Sequence, residues 1–200
     1  LNLFNDIIHD TAPYTAGLVD NEMKARLQTS FDKGIECILA TQIKVGGKPT
    51  VWCQQNDPET LEPAGARAFE LPSFCSAESV PIVKLLMGLP NPDKRVKEAV
   101  HGAMKWFDKY KLTGFRVERG TDEYGARDTR LVEDPSAPAI WARFYDLELC
   151  EPFVCDRDGI MRRRLEQIGR ERRSGGSDER NRQNSADGGD RDGDGSEDES

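Results

Sequence analysis

The side chains best suited to chemistry are concentrated in residues 51–73, whose sequence is VWCQQNDPETLEPAGARAFELPS. This stretch combines an aromatic ring (Trp52), a carboxylate (Asp57) and a guanidinium (Arg67) with a pair of amides. Two prolines disfavour a regular helix here, because each lacks an N–H group and restricts the residue before it. An irregular segment of this composition is typical of a functional loop. The alternative is a surface loop whose Trp52 packs on a helix.

Two strings in the chain resemble a known family. They are TVWCQQNDPETLEPAGARAFELPS at residues 50–73 and APAIWARFYDLELCEPFVCDRDG at residues 137–159. Both are similar to the pectate lyases of polysaccharide lyase family ten, and the similarity is nearly continuous over residues 1–173. This resemblance implies a toroid of paired helices. It also implies cleavage of polygalacturonate by calcium-assisted β-elimination.

That reaction sets three chemical requirements: a neutralised C5 carboxylate, a base for the C5 proton and assistance to the leaving oxygen. The resemblance implies that Ca²⁺ meets the first requirement. It also implies an arginine as the base, and Arg67 occupies the matching string, Ala-Arg-Ala-Phe-Glu. A free guanidinium loses its proton only above about pH 12, and nearby calcium ions and arginines would ease that loss. The alternative for Arg67 is an ordinary ion pair with Glu70.

The same resemblance implies substrate-binding roles for other residues of this loop. Trp52 would offer its ring face to a sugar, and Gln54 and Asp57 would hydrogen-bond sugar hydroxyls. The alternative for Trp52 is packing in the core. The alternative for Asp57 is capping of the turn before Glu59.

Three arginines outside the loop complete the predicted site. A guanidinium binds a carboxylate through two hydrogen bonds and keeps its charge, and a polyuronate carries a carboxylate on every sugar. The resemblance places Arg143 and Arg157 among the substrate-binding residues. It places Arg130 there less closely, since the family has a lysine nearby. The alternative for Arg157 is local neutralisation by Asp156 and Asp158.

The resemblance covers only the carboxy-terminal part of such a catalytic domain. Its first part, with a Gly-Gly-Trp-Pro segment and a calcium-binding aspartate, is expected upstream of Leu1. We therefore assign no metal ligand in this chain and expect impaired activity for the chain alone. The resemblance also implies a secreted or periplasmic monomer, although no signal-peptide pattern is visible.

Hydrophobic periodicity predicts the elements that position these residues. Helices are expected over residues 1–8, 20–41, 76–89 and 92–111, and Asp20 is a suitable N-cap for the second. Residues 114–119 and 129–132 alternate as a hairpin does, and residues 140–147 and 152–155 form further short extended segments. A last helix, rich in arginine, is predicted over residues 160–173.

Composition and charge exclude several other classes. Residues 174–200 carry nine acids and three arginines, so most of the net charge of −8 lies there. This low-complexity segment predicts a disordered acidic tail. Residues 1–173 hold 27 acids and 25 bases, without the basic excess of a nucleic-acid-binding domain. No apolar run reaches the length of a membrane span.

The five cysteines show no Cys-x-x-Cys spacing. Cys150 and Cys155 lie close enough in sequence to pair across a strand end. The alternative, which we favour, is a set of isolated thiols, because cysteine often packs as a small apolar side chain.

The patterns predict a mainly α protein with a small strand-rich region and a disordered acidic tail, and the resemblance implies that the helices form an α/α toroid of pairs. Residues 1–173 would form the partial catalytic domain and residues 174–200 the tail. The predicted function is calcium-dependent cleavage of polygalacturonate. The alternative, from a different class, is a non-catalytic module that binds acidic polysaccharide or a helical partner.

Overall fold

The computed structural model describes residues 1–15, 17–125 and 127–169; the predicted disordered tail, 174–200, lies outside these ranges. Four α-helices are present within them: α1 (Asn2–Ile8), α2 (Asn21–Thr41), α3 (Ser76–Met87) and α4 (Lys94–Lys109). The strands are β1 (Lys44–Val45), β2 (Lys48–Pro49), β3 (Phe74–Cys75), β4 (Phe115–Thr121), β5 (Arg127–Glu133), β6 (Phe144–Tyr145), β7 (Pro152–Cys155) and β8 (Met161–Arg162). A 3₁₀ helix covers Leu165–Gln167. None of the described helices is both long and apolar enough to cross a membrane.

The long helices begin where an aspartate caps them. The Asp20 carboxylate accepts a hydrogen bond from the Met23 N–H at 2.7 Å, which confirms the predicted start of α2. The Asp93 carboxylate accepts one from the Val96 N–H at 2.9 Å at the start of α4. Each cap satisfies an N–H group that has no partner inside the helix. The predicted ends of α3 and α4 differ from the observed ends by two residues.

The main core lies among α2, α3, α4 and the first residues of the 51–73 loop. Trp106 of α4 is at its centre, with ring centroids 5.0 Å from Tyr145 and 5.9 Å from Phe74. A smaller cluster covers the other side of the four-stranded sheet and consists of Cys75, Phe144, Phe153 and Cys155. All five cysteines are free thiols, as favoured from the sequence.

The four-stranded sheet sets the geometry of the candidate site. Its order is β3-β6-β7-β8, and the paired strands are antiparallel. Cys75 pairs with Phe144, and Phe144 pairs with Phe153. The end of β3, the start of β6 and the end of β7 therefore lie at the same end of the sheet. Side chains that flank these three points are brought together.

The predicted hairpin is confirmed as β4 and β5, which pair antiparallel from Phe115↔Glu133 to Thr121↔Arg127. The short β1–β2 hairpin packs on α4. A β-carbon added to Gly102 of α4 would lie 2.3 Å from the Pro49 carbonyl oxygen, so this approach requires glycine.

The predicted mainly α toroid of paired helices is wrong. Only 35% of the described residues are helical and 19% lie in strands, and the four helices stand beside three antiparallel sheets. The physical reason is that only two consecutive helix pairs form among the described residues, α1 with α2 and α3 with α4, and non-helical segments interrupt and follow them. The irregular 51–73 loop and β3 separate α2 from α3, and residues 112–162 form mostly strands and turns.

The predicted last helix is also wrong in its described part, residues 160–169. Met161 and Arg162 form β8, which pairs with the end of β7. Gly159 makes the turn between them with a φ of 73°, a conformation that favours glycine. Arg162 is held to Asp158 at 2.6 Å across this turn. Pairing with β7 therefore prevails over the helix propensity of the arginine-rich sequence.

Candidate active site

The candidate site lies at the end of the sheet where β3 ends and β6 begins. Ser76, the first residue of α3, donates from its N–H to the Arg143 carbonyl at 2.9 Å and from its hydroxyl to the Ala142 carbonyl at 2.7 Å. These two bonds fix Arg143, which precedes β6, beside the first turn of α3. Glu78 belongs to that turn. The tight turn of residues 67–70 lies just before β3 and closes the site.

Glu70 is the centre of the site. Its side chain is 5% exposed, and it accepts hydrogen bonds from Arg67 Nε at 2.8 Å and Arg67 Nη2 at 2.5 Å. Arg143 Nη2 donates to the same carboxylate at 3.1 Å. The bonds from Arg67, aided by Arg143, lower the pKa of Glu70 from 4.5 to about 2 despite its burial. Two guanidinium groups therefore share one buried carboxylate.

Glu78 holds Arg143 from the other side. It accepts from Arg143 Nε at 3.2 Å and from Arg143 Nη2, and it also accepts from the Cys75 thiol. Burial raises the pKa of Glu78, but the bonds from Arg143 and Cys75 outweigh it and the pKa is lowered. Burial, with the Glu78 charge, raises the pKa of Cys75 to about 12, so this thiol stays protonated and is a poor nucleophile.

We call Arg67, Glu70, Glu78 and Arg143 the arginine cluster. Both guanidinium groups also lie over aromatic rings: Arg67 is 4.8 Å from the Phe69 centroid, and Arg143 is 4.7 Å from the centroid of the adjacent Phe144. The Arg67 side chain is nevertheless 63% exposed and that of Arg143 is 40% exposed. The cluster therefore presents two fixed guanidinium groups to solvent, while Glu70 and Glu78 balance their charge.

The predicted catalytic residue, Arg67, is paired in this structure. The ion pair with Glu70, the alternative offered by the sequence, is present. The hydrogen bonds to Glu70 raise the pKa of Arg67, and the positive charge of Arg143 acts in the opposite direction. Arg67 is therefore protonated in the structure, and its role as a base stays a prediction.

Arg157 approaches the same end of the sheet. It lies in the turn after β7, and its N–H donates to the Asp156 carboxylate at 2.8 Å. This turn touches the segment that carries Arg67, since a β-carbon on Gly159 would lie 3.4 Å from the Ala68 carbonyl oxygen. The fold thus brings together three of the predicted arginines from separate parts of the chain.

The side chains of Trp52 and Gln54 are instead engaged in packing and hydrogen bonds within the protein. Trp52 is 1% exposed, and its Nε1 donates to the Ile38 carbonyl at 2.7 Å. Its ring faces are inside the core, as in the packing alternative, so this structure offers no exposed ring face for the predicted sugar stacking. Gln54 donates to the Leu71 carbonyl at 2.9 Å and accepts from the Ser73 hydroxyl at 3.1 Å. Gln54 therefore holds the loop together.

Asp57 caps a turn, as its alternative interpretation proposed. It accepts hydrogen bonds from the N–H groups of Glu59 at 2.9 Å and Thr60 at 2.8 Å. Both bonds lower the pKa of Asp57, and the bond from Thr60 has the larger effect.

Arg130 lies on the β4–β5 hairpin, where its Nε donates to Asp128 at 3.2 Å. Within the described ranges, no hydrogen bond or ion pair joins Arg130 to the arginine cluster.

Two carboxylates of the cluster were not predicted as site residues. Glu70 enters the sequence-based prediction only as a partner for Arg67, and Glu78 has no role in it. Arg143 is 73 residues from Glu70 and 65 from Glu78, so no local pattern links them. The signal that was available is the Arg-x-x-Glu spacing at Arg67 and Glu70.

The described residues do not fit a calcium site. No group of three His, Cys, Asp or Glu side chains among them could hold a metal ion. Glu70 and Glu78 are the nearest candidates, but both carboxylates already bind arginine. Ca²⁺ requires six to eight oxygen ligands, several of them from unpaired carboxylates or carbonyls.

Comparison with known proteins identifies the class. The family model for pectic acid lyase matches residues 1–185, and the chain therefore belongs to the pectic acid lyase family. No match is found among the curated proteins.

Two similar solved structures are of the family 10 polysaccharide lyase from Cellvibrio cellulosa and of a mutant of it in complex with trigalacturonic acid. Each is 31% identical to this chain with a TM-score of 0.77, and they cover 88% and 87% of it, respectively. Each match covers 53% of the solved chain, so this chain spans about half the length of these structures. These matches confirm the family resemblance found in the sequence.

Proposed function

We propose that this chain provides part of a pectate lyase that cleaves polygalacturonate by calcium-assisted β-elimination. The observation that carries the proposal is the arginine cluster, in which two partly exposed guanidinium groups share the buried carboxylate of Glu70. Fixed guanidinium groups suit a polymer with a carboxylate on every sugar. A solved relative holds trigalacturonic acid. A secreted or periplasmic location and a monomeric state stay predictions.

In this proposal the three arginines have different roles. Arg143 and Arg157 bind uronate carboxylates, and Arg143 is oriented for this by its bonds to Glu70 and Glu78. Arg67 first releases a proton to solvent and then, as a neutral guanidine, accepts the C5 proton; the C4–O bond breaks as the C4–C5 double bond forms, and the leaving oxygen gains a proton. Glu70 opposes the first step because it stabilises protonated Arg67. The base role therefore requires the Arg67–Glu70 pair to loosen when substrate binds.

Ca²⁺ is the proposed cofactor, and it would neutralise the C5 carboxylate so that charge can develop there. Since the described residues do not fit a calcium site, its ligands would have to be the substrate and residues outside the described ranges. Because this chain spans about half the length of its solved relatives, we propose that turnover by this chain alone is impaired. Loss of such charge stabilisation costs several kcal/mol of barrier, on the order of a thousandfold in rate.

One observation favours a second candidate function, the binding of acidic oligosaccharides without cleavage. Glu70 keeps Arg67 protonated, and a protonated guanidinium can bind a carboxylate but cannot accept the C5 proton. The arginine cluster would then serve only as a binding surface.

The two functions are separated by measuring binding and elimination with the same chain. Trigalacturonate binding is measured by calorimetry at two salt concentrations, with maltotriose as the neutral control. Product is measured by the ultraviolet absorbance of its new double bond, with Ca²⁺ or with a chelator. We expect trigalacturonate to bind and maltotriose not to bind. Binding of trigalacturonate should weaken at the higher salt concentration, because salt screens exposed charges. We also expect slow product formation that the chelator abolishes.

Binding without any product would favour the second function. Absence of trigalacturonate binding would contradict both functions.

A further inference from the structure

The thiol of Cys75 is a buried titratable group to which the proposed function gives no role. Cys75 is 0% exposed and stands directly before α3, as the residue that caps it. Its thiol donates a hydrogen bond to the carboxylate of Glu78, three residues later. Burial raises the pKa of this thiol to about 12, so it keeps its proton and can act as a donor. The thiol therefore links the core to the arginine cluster.

The start of α3 leaves the Glu78 side chain available for this contact. At many helix starts, a glutamate in the third helical position accepts a hydrogen bond from the backbone N–H of the capping residue. Here that N–H belongs to Cys75, and it already donates to the Trp52 carbonyl at 2.8 Å. The Glu78 carboxylate instead accepts from the Cys75 thiol and from Arg143.

The two carboxylate oxygens of Glu78 have different partners. Oε2 accepts from the Cys75 thiol, whereas Oε1 accepts from Arg143 Nε at 3.2 Å and also from Arg143 Nη2. The Arg67–Glu70 pair differs, because Arg67 Nε donates to one oxygen at 2.8 Å and Nη2 donates to the other at 2.5 Å. The thiol thus occupies the oxygen that Glu78 would need for the same two-oxygen contact with Arg143.

This arrangement determines which part of Arg143 is left for a ligand. Nε and Nη2 are bonded to Glu78, and Nη2 also donates to Glu70 at 3.1 Å. Within the described ranges no hydrogen bond uses Nη1 of Arg143, whose side chain is 40% exposed. A carboxylate from solvent would therefore meet a guanidinium whose orientation is set by Glu78.

We propose that Cys75 is a positioning residue for uronate binding: its thiol fixes Glu78, and Glu78 fixes the orientation in which Arg143 meets a uronate carboxylate. Cys75 does not touch the substrate, because it is buried. A binding group needs such supporting bonds to keep its geometry. The uronate as ligand rests on the proposed function, whereas the contacts from Cys75 through Glu78 to Arg143 do not.

The first experiment needs no ligand. It compares the Arg143 Nε–H resonance of the ¹⁵N-labelled 200-residue chain in the wild type and in Cys75→Ala. We expect the substitution to shift this resonance, because Glu78 loses one of its two partners and can turn. The Nε–H resonance of Arg116, on the β4–β5 hairpin, is the control and should stay in place. An Arg143 resonance that does not move would overturn the proposal.

The second experiment measures the Kd of trigalacturonate by calorimetry. Cys75→Ala should raise Kd about three- to tenfold, because Arg143 loses its fixed orientation. Cys75→Ser keeps a donor at the same position and should bind within about twofold of the wild type. The matched control is Cys53→Ala, which removes another buried thiol, one that donates to Gln54 at 3.2 Å, and should leave Kd unchanged.

Three results of this comparison would overturn the proposal. The first is a wild-type Kd for Cys75→Ala. The second is equal weakening by Cys75→Ala and Cys75→Ser, because the effect would then come from the volume of the side chain and not from its donor. The third is equal weakening by Cys75→Ala and Cys53→Ala, because the effect would then follow from the loss of any buried thiol.

Glu78→Gln tests the same contacts without changing the core, and it serves if Cys75→Ala does not fold. Glu78 is 33% exposed, and glutamine keeps its shape. Loss of a negative charge alone would strengthen the binding of an anion, whereas loss of the Arg143 orientation weakens it. We expect Kd to rise about three- to tenfold. Unchanged or tighter binding by Glu78→Gln would overturn the proposal.

The double variant, Cys75→Ala with Glu78→Gln, tests whether the thiol acts through Glu78. It should bind trigalacturonate as Glu78→Gln does, since the two residues form one series of contacts. Additive effects of the two substitutions would overturn this part of the proposal.

The two experiments also separate this inference from the proposed function. If the wild type does not bind trigalacturonate but the Arg143 resonance depends on Cys75, the proposed function fails and the positioning of Arg143 stands. If the wild type binds trigalacturonate and Cys75→Ala changes neither the resonance nor Kd, the inference fails and the proposed function stands.

Discussion

Replacing Glu70 with glutamine tests whether this buried carboxylate holds the arginine cluster together. The carboxylate is 5% exposed and accepts hydrogen bonds from both Arg67 and Arg143. Glutamine has nearly the same shape but no charge, and it would leave two like charges facing a neutral group. Glu78 would still hold Arg143, so we expect destabilisation without loss of the fold.

The magnitude follows from the pKa of Glu70, which falls from 4.5 to about 2 on folding. Each pKa unit corresponds to about 1.4 kcal/mol, so the folded state gains roughly 3 kcal/mol when this group is ionised. Because the pKa in the folded state is lowered, this stability is fully present above about pH 5 and is lost as the pH falls towards 2. At pH 3 roughly half of it should remain.

The assay is thermal or urea unfolding of the wild type and Glu70→Gln between pH 7 and pH 3. At pH 7 we expect the variant to unfold about 5 to 10 °C lower, and the difference should shrink by about half at pH 3. The matched control is Glu118→Gln on the hairpin, whose half-exposed pair with Arg116 should contribute less than about 1 kcal/mol. A difference that does not depend on pH would refute the reasoning.

Two further predictions concern packing and catalysis. Gly102→Ala should lower the unfolding free energy by about 1 to 3 kcal/mol, because the new β-carbon would lie 2.3 Å from the Pro49 carbonyl oxygen. The control, Gly120→Ala, has open space around the new β-carbon and should unfold near the wild-type temperature. Equal destabilisation by the two substitutions would contradict the predicted clash. Arg67→Lys should lower the rate of elimination, measured by product absorbance, about a hundredfold or more. Binding of trigalacturonate, measured by calorimetry, should persist. A rate of elimination near that of the wild type would show that Arg67 is not the base.

The sequence predicts the local elements well because their signals are local. Asp20 caps α2 through the Met23 N–H, and the alternating residues 114–119 and 129–132 form the expected β4–β5 hairpin. The toroid and the last helix could not be predicted correctly from the same kind of signal. Residues 161–162 join β7 because a strand edge is available there, and that edge depends on the tertiary structure.

The candidate site likewise combines a local feature that the sequence predicts with tertiary contacts that it does not predict. The Arg67–Glu70 pair has a spacing of three residues, and the sequence could offer it as an alternative. The attachment of Arg143 to Glu70 and Glu78 depends on the pairing of β3 with β6, which no short motif encodes. The burial of Trp52 is a tertiary property as well, and a tryptophan in a loop has no local pattern that separates packing from sugar binding.

The central claim is that the arginine cluster binds uronate carboxylates. It is tested most directly by following the side-chain Nε–H resonances of Arg67 and Arg143 as trigalacturonate is added to the ¹⁵N-labelled chain. The account predicts saturable shifts of both resonances, weaker at high salt and absent with maltotriose, while Arg116 on the hairpin stays in place. Resonances of Arg67 and Arg143 that do not move at saturating trigalacturonate would contradict the account.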